Sequence, residues 1–264
     1  MNELATMRPQ VYADPRPKEH FDRFHERART REPDATYEVT RLLMSIYSYT
    51  LLRTRAISPE HVPGTGPVIL APNHFSFMDH FLVGCYLRRK IRFMAKSQLF
   101  KPPMQWVYTH GGVFPVRRGA RDEETFITAK CLLDRGATVL MYPEGGRSRT
   151  GNLEEKGKRG IGRLALESGA PVVPVAVYGS SRVRNWKRLQ FPEVTVQYGA
   201  PMCWEAIEDS TAEQQQVVAD EVVGEIRRLY SGLEQRGRRA VLKSVREARR
   251  RDRRTRGARS AAAV

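Results

Sequence analysis

Cysteine is scarce in this chain of 264 residues: Cys85, Cys131 and Cys203 are its three thiols. They are far apart and odd in number, and none sits in a Cys-x-x-Cys or Cys/His spacing, which excludes a disulfide framework and a cysteine-built zinc site. A reducing compartment is the expectation. No stretch approaches 18 uninterrupted apolar residues, so no helix is expected to span a bilayer. The first residues carry Arg8, Arg16 and Lys18 among acids and prolines, without the apolar core of a secretory signal. No Walker loop and no Gly-x-Ser-x-Gly elbow occurs, which argues against nucleotide hydrolases and serine esterases. Gly157-Lys158-Arg159-Gly160-Ile161-Gly162 is glycine-rich, but its spacing is wrong for a dinucleotide fingerprint. Internal repeats are absent.

Negative charge is also in short supply, since 45 Lys and Arg face 29 Asp and Glu for a formal net charge of +16. The excess is uneven. Residues 235–264 hold twelve Lys and Arg against Glu247 and Asp252, a net of +10, which leaves +6 on the rest. Such a block is either a solvated tail or an attachment to an anionic membrane surface. Nucleic acid is the other use of a basic tail, but no Phe, Tyr or Trp follows Tyr230 to stack on bases. Hydrophobic content is ordinary at 41%, and the length suffices for one large α/β domain with a real core.

Residues 1–36 are polar and punctuated by proline, and are expected to wrap the surface or stay partly disordered. From Tyr37 to Arg53 the apolar residues Val39, Leu42, Leu43, Ile46, Tyr47 and Tyr49 approach helical spacing. That helix either packs on its own domain or lies in a membrane interface. Strand and helix signals then alternate. Strands are expected at Val68–Ala71, Ile91–Ala95, Gly112–Val116, Thr138–Tyr142, Val172–Tyr178 and Val194–Tyr198. Helices are expected at Asp79–Leu87, Glu123–Leu133, Gly160–Glu167 and Thr211–Leu233. The alternation predicts an α/β fold, a mostly parallel or mixed sheet flanked by helices. An N-terminal extension with an amphipathic helix (1–58) precedes this body (59–234), and a basic tail (235–264) follows it.

In such sheets, sites gather where strands end and helices begin. Asn73-His74-Phe75-Ser76-Phe77-Met78-Asp79 follows the first of the predicted α/β strands. A His and an Asp five apart stand about 140° apart on a helix and cannot meet there. They meet if His74 sits in the turn leaving the strand and Asp79 lies in the first turn of the next helix. Ser76 with Asp79 three places on is also a helix-start signature. A carboxylate so placed holds the imidazole in one tautomer and leaves its other nitrogen free as a base. Ser-x-x-Asp caps are common, however, so these seven residues alone do not decide between catalysis and capping.

Two more blocks fall just past predicted strands. Gly111 to Gly119 ends in Arg117 and Arg118, whose planar forks suit phosphate oxygens if they are not solvated surface groups. Met141-Tyr142-Pro143-Glu144-Gly145-Gly146-Arg147-Ser148-Arg149 forms a sharp turn in which glycine admits close approach of a ligand. There a carboxylate can bond a hydroxyl and Arg147 can meet a phosphate. Val172 to Val177 is apolar and reads as core, with Pro174 at an edge or bulge.

Taken in this order, the blocks resemble the glycerolipid acyltransferase family of the 1-acyl-glycerol-3-phosphate type. The motif N-H-x-S-x-x-D is matched from Asn73 to Asp79 without a gap. An apolar strand ending in arginine is matched with Arg118, where Arg117 replaces a frequent Asp. F-P-E-G-T-R-S appears from Tyr142 to Ser148, with Tyr142 for Phe and Gly146 for Thr, and V-P-V is Val173 to Val175. The resemblance covers about residues 60 to 205. Lys96 matches a basic position in Ala95 to Phe100, whereas Gln98 stands where Glu is common.

The resemblance implies transfer of a fatty acyl group from acyl-CoA or acyl carrier protein to the hydroxyl of a lysophospholipid. The acceptor it implies is 1-acyl-glycerol-3-phosphate, in phospholipid biosynthesis. It implies His74 as base, oriented by Asp79, with Asn73 and Ser76 in support. It implies Lys96 and Arg118 for the acceptor phosphate, and Glu144, Gly145 and Arg147 for the glycerol end. No metal or other cofactor is implied. The expected location is cytoplasmic, peripheral to the inner face of the cell membrane. Another acceptor within the family is the alternative, and a basic nucleic-acid or membrane-surface binder is the rival of another class.

Overall fold

The structure, a computed structural model, describes residues 14–118, 122–148, 150–184 and 191–261. The elements in chain order are α1 (Glu19–Thr30), α2 (Ala35–Thr50), β1 (Arg55–Ile57), β2 (Val68–Pro72), α3 (Asp79–Gly84) and β3 (Ile91–Lys96). They continue with α4 (Met104–His110), β4 (Val113–Val116), α5 (Glu123–Asp134), β5 (Thr138–Leu140), α6 (Arg159–Ser168), β6 (Val172–Tyr178), β7 (Thr195–Tyr198) and α7 (Ala212–Ala261).

Among the described residues seven strands form one sheet, in the order β1-β7-β6-β2-β5-β3-β4. The five from β6 to β4 run parallel, and β7 reverses against β6 with β1 parallel to β7. The sheet is therefore mixed, with a parallel heart. Its central strands read as unbroken apolar runs because both faces are covered. Residues two apart go to one face. Thus Ile69 and Ala71 pack with Leu132, Ile161, Leu164 and Val222 of α5, α6 and α7. Val68 and Leu70 pack on the other side with Leu82 and Val83 of α3. Each fully buried Leu, Ile or Val contributes roughly 1.5–3 kcal/mol.

Three elements are additions to the sequence reading. β1 is three residues long, too short for a period to show. α4 follows Pro102-Pro103. α1 lies within the stretch expected to wrap the surface or stay partly disordered. It instead buries Phe21, Phe24, His25 and Ala28 on one face, packed on α5 and β4. The first thirteen residues of that stretch, Arg8 among them, lie outside the described residues. α2 is capped by Asp34, which accepts from Thr36 N at 2.9 Å. Its side chains hold the carbonyls that end α3, for Tyr49 Oη donates to Cys85 O and Arg41 to Leu87 O. That helps explain why α3 stops at Gly84, short of the expected Leu87. α7 runs well past the expected Leu233, through a break at Gly237. No described helix is long and apolar enough to cross a membrane.

The sheet face away from α3 depends on close helix contact. A Cβ on Gly162 of α6 would overlap the Gln215 carbonyl of α7. Because backbone rather than a flexible side chain is struck, the helices must part. We expect Gly162→Ala to lower stability by about 2 kcal/mol. Chemical denaturation with an unchanged midpoint would contradict this packing.

Candidate active site

β2 ends at Pro72, and the next residue ties the sheet together. The Asn73 side chain accepts from Val177 N at 2.7 Å and donates to Val177 O at 3.2 Å, bridging to β6. The backbone then turns, and His74 Nδ1 lies 3.0 Å from Asp79 Oδ2. An ionised carboxylate only accepts, so Nδ1 carries the proton and Nε2 is left as the acceptor. The same Oδ2 also accepts from Phe75 N and Ser76 N, each at 2.7 Å. Asp79 is fully buried. Ser76 is buried too, and its Oγ accepts from Met78 N at 3.2 Å, the work of a turn-former.

The third block clamps this turn. Ser148 N donates to the His74 carbonyl at 2.8 Å, and the Glu144 carboxyl accepts from the His74 backbone N–H. Tyr142 stacks on the imidazole with centroids 3.8 Å apart and planes 16° from parallel. His74 is thus held at its backbone N–H, its carbonyl, its Nδ1 and one ring face. Burial pushes its pKa below the ordinary imidazole value. Asp79 opposes that shift, and Arg147 and Arg118 add to it. The net result is a neutral base at neutral pH.

A cavity of about 550 Å³ opens beside His74. Lys96, Arg118 and Arg147 line it, and the Lys96 pKa is lowered by burial and by the two guanidiniums. Most of the wall is apolar, from α2, α3, β3 and α4, and includes Met44, Phe81, Phe93 and Val107. His80 also lines it, with burial holding its ring neutral at a pKa of about 3. The site is therefore a cationic mouth and an apolar chamber that meet at one imidazole. Among the described residues, no group of His, Cys, Asp and Glu converges in a way that would hold a metal ion.

Of the expected residues, His74, Lys96, Arg118 and Arg147 face this cavity, with Asp79, Asn73 and Ser76 behind His74. Arg117 does not, because its backbone N–H bonds Asp122 and its guanidinium reaches the Arg16 carbonyl. Glu144 and Gly145, expected at an acceptor's glycerol end, do not line this cavity, and the Glu144 carboxyl accepts from the His74 backbone N–H. Gly145 is in the left-handed region at φ 69°. Gly119 and Arg149 lie outside the described residues. The stacking of Tyr142, the ring of His80 and the walls from α2 and α4 went unread. Only the His80 place beside Asp79 could have hinted at them.

Glu144 has an unusual titration. Burial, with help from Glu154 and Asp79, raises its pKa from 4.5 to about 8 against the pull of the His74 N–H. The folded state then holds a proton that the unfolded chain releases, so stability falls as pH rises from about 4.5 through about 8. Glu144→Gln keeps an acceptor for the His74 N–H without the titration. The stability difference between wild type and this variant should move against the wild type across that window. A constant difference from pH titrations of thermal unfolding would show Glu144 ionised throughout.

A profile of the Acyltransferase family matches residues 53–178. The chloroplastic 1-acyl-sn-glycerol-3-phosphate acyltransferase BAT2 of Brassica napus is 30% identical over 149 residues, 55% of this chain and 43% of that protein. Its Bacillus subtilis namesake is 29% identical over 133 residues, 48% of this chain and 63% of that protein. This chain thus spans less than half the length of the plant relative. The crystal structure of the 1-acyl-sn-glycerophosphate (LPA) acyltransferase PlsC from Thermotoga maritima shares the fold, with a TM-score of 0.53 at 22% identity over 78% of this chain and 87% of that one. The profile spans β1 to β6, and the motif residues within it gather on one cavity, so in sequence and in site residues 53–178 are similar to the acyltransferase family.

Proposed function

We propose that this chain moves a fatty acyl group from acyl-CoA or acyl carrier protein to the free hydroxyl of 1-acyl-glycerol-3-phosphate, forming phosphatidate. The observation that carries it is the neutral His74 imidazole, its Nδ1 held by buried Asp79, at the joint of a cationic mouth and an apolar chamber. An amphiphilic anion with a hydroxyl to activate is the chemistry that such a joint serves. The acceptor phosphate goes to Lys96, Arg118 and Arg147, and an acyl chain fills the chamber. His74 Nε2 takes the hydroxyl proton as the oxygen attacks the thioester carbonyl. The intermediate collapses, the C–S bond breaks, and the imidazolium returns the proton to the leaving thiolate. Asp79 stabilises the imidazolium between these steps. No other cofactor enters the scheme.

Ser76 is not given the role of nucleophile, because it is buried in the turn that its Oγ supports by accepting from the Met78 N–H. Transfer is then direct, and kinetics require both substrates together. We place the enzyme on the cytoplasmic face of a membrane, where its acceptor resides. The exposed apolar face of α2 supports that reading, with Leu42 at 62% and Leu43 at 56% exposure.

Purified protein should be assayed with both donors against lysophosphatidate and neutral lysolipids. A preference for a neutral acceptor would overturn the choice of head group. His74→Ala should lower turnover by at least about 10². Near-normal turnover in that variant would end the assignment. In wild type, kcat/KM should fall only as pH drops below about 6.5, where an imidazole of lowered pKa gains its proton. Arg118→Ala should raise the lysophosphatidate KM about tenfold or more with little change for the donor, since it removes charge-assisted hydrogen bonds to phosphate. Equal effects on a neutral acceptor would mean a structural role.

A further inference from the structure

α7 is broken once. Gly237 has φ 73° and ψ 159°, outside the helical region, and the chain resumes as a helical arm that ends at Ala261. The arm has two faces. On one, Arg238 donates to the Arg53 carbonyl at 3.2 Å and pairs with Glu193 at 2.9 Å. Val241 is buried with Ile57, Ala176 and Leu233, and Val245 packs at the edge of that cluster. Arg249 donates to Ser58 Oγ at 3.1 Å and pairs with Glu60. Steps of three, four and four residues align positions 238, 241, 245 and 249 along a helix, so this is the docked face.

Arg239, Lys243, Arg246 and Arg250 are spaced by four, three and four residues and form a second line. At 100° per residue that line is turned by about 80–140° from Arg238. All four side chains are exposed. Among the described residues none of them joins an ion pair, whereas the arm's docked arginines, Arg238 and Arg249, both do. The arm has thus sorted its cations. Among those whose side chains are described, Arg238 and Arg249 hold it to the body, Arg239, Lys243, Arg246 and Arg250 make a stripe toward solvent, and Arg251 is exposed off that line.

We infer that this stripe docks the protein on the anionic face of a lipid bilayer. This rests on the acyltransferase reading only in that a bilayer is where a lysolipid acceptor resides. Two observations favour lipid over nucleic acid. The arm has no Phe, Tyr or Trp to stack on bases. It also begins beside α2, which turns Val39, Leu42, Leu43 and Ile46 to solvent, each more than half exposed. Arg238 holds the Arg53 carbonyl three residues past the end of α2. Tyr49 of α2 packs on Tyr86 at 5.3 Å, and Tyr86 in turn feels the Arg238 charge. An apolar helix with a neighbouring basic stripe supplies the two signals that stable bilayer attachment needs, where either alone is marginal.

The test uses the full chain, sedimented at low salt with vesicles of phosphatidylglycerol in phosphatidylcholine and with pure phosphatidylcholine. One variant replaces Arg239, Lys243, Arg246 and Arg250 by Gln. A control of equal net charge replaces exposed Arg31, Lys156, Arg159 and Arg227 by Gln. Each cation near an anionic surface is worth about fivefold in partitioning, so the stripe variant should lose roughly 600-fold on anionic vesicles and the control far less. A third variant, with Lys for the three arginines, should bind as wild type, and it decides the matter if the Gln variant loses helix by circular dichroism. Wild-type-like binding by a folded stripe variant, or equal losses in stripe variant and control, overturns the inference. So does a loss confined to polyuridylate RNA with vesicle binding kept. Transfer to a detergent-dispersed acceptor is measured beside it. Absence of turnover in the wild type defeats the catalytic reading and leaves the vesicle result standing.

Discussion

A single carboxylate oxygen, Asp79 Oδ2, accepts from the His74 ring and from two successive backbone N–H groups. Those three bonds fix different things at once. The two backbone bonds set the turn between β2 and α3, and the third sets which ring nitrogen bears the proton. Asp79 reaches all three because it opens α3, where its side chain projects back over the preceding turn. A buried carboxylate would be costly without such donors. The turn satisfies one carboxylate oxygen and the acid defines the turn, while Asp79 Oδ1 is buried without a hydrogen-bond partner among the described residues. The clamp from Glu144 and Ser148 completes it by fixing the backbone from which the imidazole hangs.

The charges around His74 pull in opposite directions, and the balance is what suits it to be a base. Burial and two arginines hold the ring neutral, while Asp79 favours the imidazolium. An anionic phosphate seated on Lys96, Arg118 and Arg147 would offset the arginine contribution. In the proposed reaction, ring basicity would then rise as the acceptor binds. The neutral state of Glu144 belongs to the same balance. A second full negative charge beside Asp79 would favour a resting imidazolium, which cannot accept the hydroxyl proton.

The heart of the fold was legible because parallel strands buried on both faces leave continuous apolar runs, and Val68–Pro72 and Val172–Tyr178 are such runs. The dyad was legible for a related reason: a His leaving one strand and an Asp opening the next helix can meet in few ways. Other features depend on directions that a sequence does not carry. Whether Glu144 faces a ligand or the His74 backbone is decided by a left-handed glycine in the next position. The chamber walls come from α2, α3 and α4, brought together only by the tertiary fold. α1 hid for a different reason. Phe21, Phe24 and Ala28 keep helical spacing, but the charged residues between them lower the mean hydropathy and mask the stripe.

The positive charge of the chain divides along the same lines. Arg89, Lys90, Arg92 and Arg135 gather around a second cavity, of about 320 Å³, near the starts of β3 and β5. Four cations in one hollow suggest an anion site, yet each already donates to a backbone carbonyl. Arg89 holds those of Pro63, Gly66 and Gly136, Lys90 that of Pro33, Arg92 that of Arg31, and Arg135 that of Arg29. Arg16 does the same for Ser97 and Phe100. Loops at the strand ends leave carbonyls without ladder partners, and a long side chain with several donors is a direct way to satisfy them. Much of the basicity of the body is therefore structural, consumed in tying loops to one another. On the arm, by contrast, exposed Arg239, Lys243, Arg246 and Arg250 join no ion pair among the described residues, and it is their charge that the inferred bilayer contact would use.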